Sequence, residues 1–198
     1  MSLYQQQPWI LTHSGKRVNL KHPRAEDVVL GDITYALARL NRFTGHADPT
    51  WTVGQHSLFC TELARLRGYS YETQRSCLIH DFAEAYLGDV SSPLKWCIQG
   101  YHGLEILHFA AICKALGLEV EEEWGYNRPL QVKTIDQRAF EVEIQKCMPA
   151  HPDLPEMEPA TQYEHRAWMR PCFFAPDRVE LELTNWFKEL NETIKGAE

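Results

Sequence analysis

A chain of 198 residues, 44% hydrophobic and 24% charged, is long enough to bury a sizeable core without staples and is expected to form one domain over 1–198. Its formal net charge of −7 excludes tight non-specific binding to polymeric nucleic acid, while leaving room for a local basic pocket that takes a small anion. Six cysteines (Cys60, Cys77, Cys97, Cys113, Cys147 and Cys172) occur without a Cys-x-x-Cys pair, so a reduced cytoplasmic protein is expected, not a disulfide frame or a structural zinc site. The start, Met1 to Gln7, has no basic region or apolar stretch, and no run approaches about 18 apolar residues, so neither export nor a membrane partner is expected.

In chain order, Trp9 to His13 and Lys16 to Leu20 flank the turn pair Ser14-Gly15 and predict a short hairpin. Asp32 is placed to cap a helix with Ile33, Ala36, Leu37 and Leu40 on its apolar face. A second helix carries Val53, His56, Leu58, Phe59, Leu63 and Leu66 and closes at Gly68. A third begins at Ser70 and runs through His80-Asp81 to about Leu87, with Gly88 as its stop. Asp89 to Lys95 reads as a hydroxyl-rich loop. A fourth helix spans Tyr101 to Leu116 with Leu104, Leu107, Phe109, Ala111 and Ile112 inward and Gly117 as its stop, and a fifth covers about Pro129 to Lys146, burying Val132, Ile135, Phe140 and Ile144. Pro149, Pro152, Pro155 and Pro159 mark a long irregular stretch, and Val179 to Ile194 is a final amphipathic helix. The architecture is thus all-α with a short N-terminal β-hairpin.

The stretch from Leu78 to Asp89 stands apart. His80 and Glu84 are four residues apart and Asp81 and Glu84 three apart, so on a helix the three side chains can reach one cleft. Cys77, Leu78, Ile79, Phe82 and Ala83 make this a buried segment, where an ionised Asp is costly unless it is paired or bound to a cation. Adding His56 and Asp136 gives four metal-competent residues on three predicted helices, in the order His, then His-Asp about 24 residues on, then Asp about 55 further.

With this series the sequence resembles the HD-domain metal-dependent phosphohydrolase superfamily, and within it the compact phage and bacterial branch that hydrolyses deoxynucleotides. The matching stretches are Thr12 to Lys16, Asp32-Ile33, Ala36 to His46, Val53 to Ser57, His80 to Glu84 with Gly88-Asp89, Ser92 to Lys95, and Ile135-Asp136. The resemblance implies an HD-domain helical bundle in which His56, His80, Asp81 and Asp136 hold one divalent ion. It implies that Glu84 handles the proton of an attacking water, that Asp89 orients that water or helps with a second ion, and that Arg42 and Lys95 contact phosphates. Phe43 stands where the bacterial 5′-nucleotidases of this superfamily carry Trp and is expected to wall the sugar and base, and His46 is a further candidate contact. Without thiolate ligands the metal can be Co, Zn, Mn, Fe, Ni or Mg, with two His ligands disfavouring Mg alone.

Three functions follow: a dATP or dNTP triphosphohydrolase releasing deoxynucleoside and triphosphate, as the phage branch implies; a 5′-nucleotidase acting on deoxynucleoside monophosphates; and a metal-bound nucleotide sensor without turnover. The first is favoured on the phage-like hairpin and Asn-Arg-Phe-x-Gly-His segments, and Glu84 with Asp89 speaks against the third. The remaining histidines, His13, His22, His102, His108, His151 and His165, are expected at the surface or at caps, and Glu121-Glu122-Glu123 as a solvated run. Trp51, Trp96, Trp124, Trp168 and Trp186 are assigned to the core or an interface, with Trp51 or Trp96 a possible pocket wall. Six Trp, eight Phe and eight Tyr, together with the resemblance, predict a homo-oligomer, a dimer or hexamer, with its added contact near Pro149 to Pro159.

Overall fold

Turn chemistry and helical periodicity account for most of the architecture: residues 8–118 and 128–197, which the computed structural model describes, are predominantly helical with a short two-stranded antiparallel hairpin. The segment 1–7, the Glu121-Glu122-Glu123 run and Trp124 lie outside the described residues. In the hairpin, β1 (Trp9–Leu11) pairs with β2 (Arg17–Asn19) in the register Trp9 to Asn19, Ile10 to Val18 and Leu11 to Arg17. Its turn needs the left-handed backbone of Gly15, φ 84°, a conformation glycine adopts without steric cost.

The first helix, α1 (Leu30–Leu37), starts two residues before Asp32, so Asp32 is not its cap. It is buried and accepts hydrogen bonds from Thr12 Oγ1 at 2.7 Å, the Ser14 amide at 2.7 Å and Ser14 Oγ at 2.7 Å, pinning the hairpin turn to the helix. A loop pinched at its base by the Asn41–Thr52 bridge and by the Arg42 amide donating to the Trp51 carbonyl (2.8 Å) leads into α2 (Val53–Leu66). A buried capping box starts α2: Thr52 Oγ1 accepts from the Gln55 amide and Gln55 Oε1 from the Thr52 amide. The side-chain amide of Gln55 then donates to the Pro171 carbonyl at 2.8 Å, fixing the helix against the C-terminal half.

The expected third helix does not run through to Leu87. It ends as α3 (Tyr71–Ile79); a turn at 80–83 follows, then a short α4 (Glu84–Leu87). The break follows from two side-chain hydrogen bonds, one local and one from far along the chain. His80 Nδ1 donates to the Cys77 carbonyl at 2.7 Å and the Arg128 guanidinium donates to the His80 carbonyl at 3.0 Å, so side chains take acceptors that a continuing helix would use. Tighter three-residue bonds replace them, Phe82 N to Ile79 O at 3.0 Å and Glu84 N to Asp81 O at 3.0 Å.

Downstream, part of the expected 89–95 loop is helical: α5 (Ser92–Cys97) has Pro93 in its first turn and carries Lys95. The next helices match expectation closely, α6 (Tyr101–Leu116) ended by left-handed Gly117 and α7 (Leu130–Cys147), although Leu107 is largely exposed and Phe140 faces a cleft instead of the core. After the irregular proline stretch comes an unexpected helix, α8 (Gln162–Cys172), capped by Thr161 and Glu164 as a capping box, and then α9 (Pro176–Ala197). Two apolar clusters result. Ile33, Leu37, Leu78, Phe82, Ile112 and Leu183 centre one, and Trp51, Phe59, Leu63, Ile135, Val142 and Trp168 the other. The metal-competent residues come from α2, the turn after α3, and α7. His108, expected at the surface, is buried: its Nε2–H donates to the Leu20 carbonyl at 3.0 Å and its ring stacks on Tyr86.

Candidate metal centre

His56 on α2 is fully buried because it falls on the face of Phe59, Cys60 and Leu63. His80 sits at the end of α3, where the tight turn swings its ring and the Asp81 carboxylate to the same side. Asp136 arrives from α7. Their atoms converge: His56 Nε2 lies 3.2 Å from His80 Nε2, 3.1 Å from Asp136 Oδ1 and 3.6 Å from Asp81 Oδ2. His80 Nε2 lies 3.2 Å from Asp81 Oδ2 and 3.7 Å from Asp136 Oδ1. Ligands about 2.0–2.2 Å from one ion stand roughly 2.8–3.1 Å apart as octahedral neighbours and roughly 3.3–3.6 Å apart as tetrahedral ones. The observed spacings fall in and around those ranges.

The far side of each group is held as well. His56 Nδ1 donates to Glu143 Oε1 at 2.6 Å and His80 Nδ1 to the Cys77 carbonyl, which turns both Nε2 lone pairs toward the common point when the rings are neutral. The outer oxygens of the two acids meet one guanidinium, with Arg128 Nη2 3.1 Å from Asp81 Oδ1 and Arg128 Nη1 3.6 Å from Asp136 Oδ2. Two nitrogen lone pairs and two carboxylate oxygens facing inward at such distances need positive charge between them. In the protein alone protons meet that need: burial opposes a charged His80, yet Asp81 and Asp136 outweigh it and lift its pKa to about 10, and His56 is raised as well. Burial likewise opposes the ionised forms of Asp81 and Asp136, but the neighbouring imidazoles hold both well below the usual carboxylate range.

The cluster also contains Cys60, which the sequence reading left out of any ligand set. Its Sγ is 3.5 Å from His56 Nε2, and His56, Cys60, His80 and Asp136 together form a buried group able to hold a metal ion. Burial pushes this thiol well above its ordinary pKa, so it is protonated unless a cation binds. Its signal in the sequence was its place one helical turn after His56.

Beside the cluster opens a cleft of about 580 Å³, in the usual range for a small-molecule site. Glu84 and Asp89 line it, as do Arg42, Phe43 and Lys95. His46 does not: it is exposed at the end of the turn that follows Phe43. Trp51 is buried elsewhere, packed on Trp168, and Trp96 is 90% exposed; neither lines the cleft. Burial, reinforced by the charge of Asp81, raises the Glu84 pKa to about 8 against the pull of Lys95, whose Nζ is 3.2 Å from Glu84 Oε1 and 2.8 Å from Glu105 Oε1. Burial also raises Asp89, opposed by Arg42. Phe43 is held at φ 56°, a backbone conformation bulky residues rarely adopt, and its ring stacks at 6.0 Å on Phe140, which also lines the cleft.

Arg128, Glu143 and Phe140 also belong to this site and were not found from sequence. Glu143 and Phe140 had a legible signal, lying seven and four residues after Asp136 on one helix face. Arg128, ahead of the first turn of α7, had none.

Fold and site together define a mostly helical protein with a buried His, Cys and Asp cluster competent for a metal ion, next to a cleft walled by cations and aromatic rings. No family model matches the chain. It is 33% identical over 110 residues to the uncharacterized protein YfdR of Escherichia coli (strain K12), covering 56% of this chain and 59% of that protein. It is 35% identical over 115 residues to an uncharacterized protein of Rhodobacter capsulatus, again 56% of this chain and 59% of the relative. The chain thus spans about 59% of the length of the curated relatives it matches. Among the described residues no helix is long and apolar enough to cross a membrane.

Proposed function

We propose that this protein is a metal-dependent phosphohydrolase of the HD-domain type that acts on deoxynucleotides, with a dATP or dNTP triphosphohydrolase as the first reading. The observation that carries it is the convergence of His56, His80, Asp81 and Asp136 beside a buried acid, Glu84, whose Oε2 has no hydrogen-bond partner among the described residues. A divalent ion held there would neutralise phosphoryl oxygens and acidify a water. Glu84, with its raised pKa, is suited to take and return that water's proton, and Asp89 stands in the same cleft to orient it. Arg42, Lys95 and Arg128 supply donors for phosphate oxygens, and Phe43 with Phe140 walls the space where a base or sugar would lie.

The 5′-nucleotidase reading has its own support. Each of the three cleft cations is already paired with a carboxylate, Arg42 with Glu143, Lys95 with Glu105 and Arg128 with Asp81, which suits a dianionic monophosphate better than a more highly charged triphosphate. Incubation with Mn²⁺ or Co²⁺ and a panel of deoxynucleoside mono-, di- and triphosphates separates the readings. Triphosphate released in one step identifies the first, free phosphate from monophosphates alone the second, and metal with nucleotide binding but no turnover a sensor. The proposal includes a cytoplasmic homo-oligomer. Light scattering giving one chain's mass, 23.0 kDa, at micromolar concentration would remove the oligomer.

A further inference from the structure

We propose that Glu143 is a positioning residue that ties the metal centre to the phosphate-binding arginine, so that ion and phosphate hold each other in place. The inference rests on the phosphohydrolase reading above and adds to it a coupling between two parts of the site. Glu143 lies on α7 two turns after Asp136 and is fully buried. Both its oxygens are engaged, and by different functions: Oε1 accepts from His56 Nδ1 at 2.6 Å and Oε2 from Arg42 Nε at 3.1 Å. The first bond leaves His56 Nε2 as the ring atom turned to the cluster. The second fixes one edge of the Arg42 guanidinium, whose Nη1 lies 3.7 Å from Asp81 Oδ2, and keeps its remaining N–H groups at the cleft that Arg42 lines.

A buried carboxylate contributes little net stability compared with a packed apolar side chain, so its work here is orientation. It has acceptors for two N–H groups at once, and no other residue of ordinary chemistry offers that in the same volume. An amide in its place keeps one acceptor and presents a donor to the other partner. Glu143→Gln therefore cannot satisfy both partners, and because one side chain orients both His56 and Arg42, a mismatch at either is passed to the other. Outer partners of ligating histidines are worth about 10- to 100-fold in metal affinity.

The test uses the whole, metal-stripped protein in calorimetric titrations, first with Mn²⁺ and then with inorganic phosphate at saturating Mn²⁺. Glu143→Gln, unfolding at the wild-type temperature, is expected to weaken Mn²⁺ binding at least about tenfold and phosphate binding with it. Arg42→Met is expected to lose phosphate while keeping Mn²⁺ within about threefold, and the double variant to bind phosphate no more weakly than Arg42→Met alone. Mn²⁺ and phosphate affinities of Glu143→Gln both within twofold of wild type, or a loss of one without the other, overturn the coupling. If Glu143→Gln does not fold, nitrogen-15 histidine spectra of the Zn²⁺-loaded wild type decide: a proton on His56 Nδ1 is expected, and a proton on Nε2 overturns the inference. Wild-type protein that binds no divalent ion overturns the phosphohydrolase reading itself, whereas intact wild-type binding with an indifferent Glu143→Gln overturns only the role of Glu143.

Discussion

Lys95 Nζ grips Glu84 through Oε1 at 3.2 Å, while Glu84 Oε2 is buried and makes no hydrogen bond among the described residues. An acid held by one oxygen and open at the other can be aimed without being a ligand. Glu84→Gln is therefore expected to keep metal affinity within about threefold and to lose on the order of 10² to 10⁴ in turnover. Metal titration and steady-state kinetics check this, and a parallel loss of metal would move Glu84 into the ligand set.

The same carboxyl sets a pH dependence of stability. Its folded pKa of about 8 lies above the ordinary 4.5, so its contribution is fully present below about pH 4.5 and is lost as pH rises through about 8. Asp81 and Asp136, held low, act in the opposite sense: their contribution is present above the usual carboxylate pKa of 3.8 and is lost as pH falls. In chelator-treated protein, Glu84→Gln should raise the Tm relative to wild type by at least about 2 °C more at pH 9 than at pH 5. Parallel Tm profiles for the two proteins would refute the assignment.

Loading the ion must displace protons, since His80 stays protonated up to about pH 10 in the protein alone. Titration with Zn²⁺ at pH 8 in buffers of different ionisation enthalpy is expected to show release of at least about one proton per ion. Binding without proton release would place the ion elsewhere.

Asp81 and Cys60 are alternative candidates for one place around an ion bound by His56, His80 and Asp136. Asp81 is ionised and within 3.6 Å of both Nε2 atoms, whereas the Cys60 thiol holds its proton. Asp81→Asn should cost at least about tenfold in Mn²⁺ affinity and Cys60→Ser less than about threefold. A thiolate-to-metal absorption band with Co²⁺ that vanishes in Cys60→Ser would reverse the choice.

Gly54 allows α2 to sit where His56 reaches the cluster. A Cβ there would meet Val179 Cγ1 at 2.7 Å and the Leu37 carbonyl at 3.1 Å, a squeeze between α9 and the end of α1. Gly54→Ala is expected to destabilise by about 1–3 kcal/mol, visible as a lower midpoint in urea with an unchanged slope.

Helical periodicity, with glycine stops for α2 and α6, made α2, α6 and α7 legible almost to the residue. The segment through His80 was misjudged for a reason periodicity does not contain: Arg128, far along the chain, takes the His80 carbonyl. Asp32 looked like a cap because caps and turn anchors use the same side chains, and only its contacts to Thr12 and Ser14 tell them apart. The helix α8 was hidden by the prolines ahead of it, although Thr161 and Glu164 spell a capping box. At the site, the metal-competent residues other than Cys60 could be read from their order; Glu143 shares a helix face with Asp136 but looked like one more acid there, and Arg128 has no local pattern around it.

His56 and Glu143 are 87 positions apart in sequence, and the bond between them, with the one to Asp136, closes a very long loop of chain. A cation at their meeting point would act as a clasp on that loop, since it binds only when α2 and α7 have come together. At a free concentration 100 times its dissociation constant such a clasp adds about 2.7 kcal/mol to the folded state. Chelation would then loosen α7 before the hairpin or α9, and amide exchange along Leu130–Cys147 would quicken while the other helices stay protected.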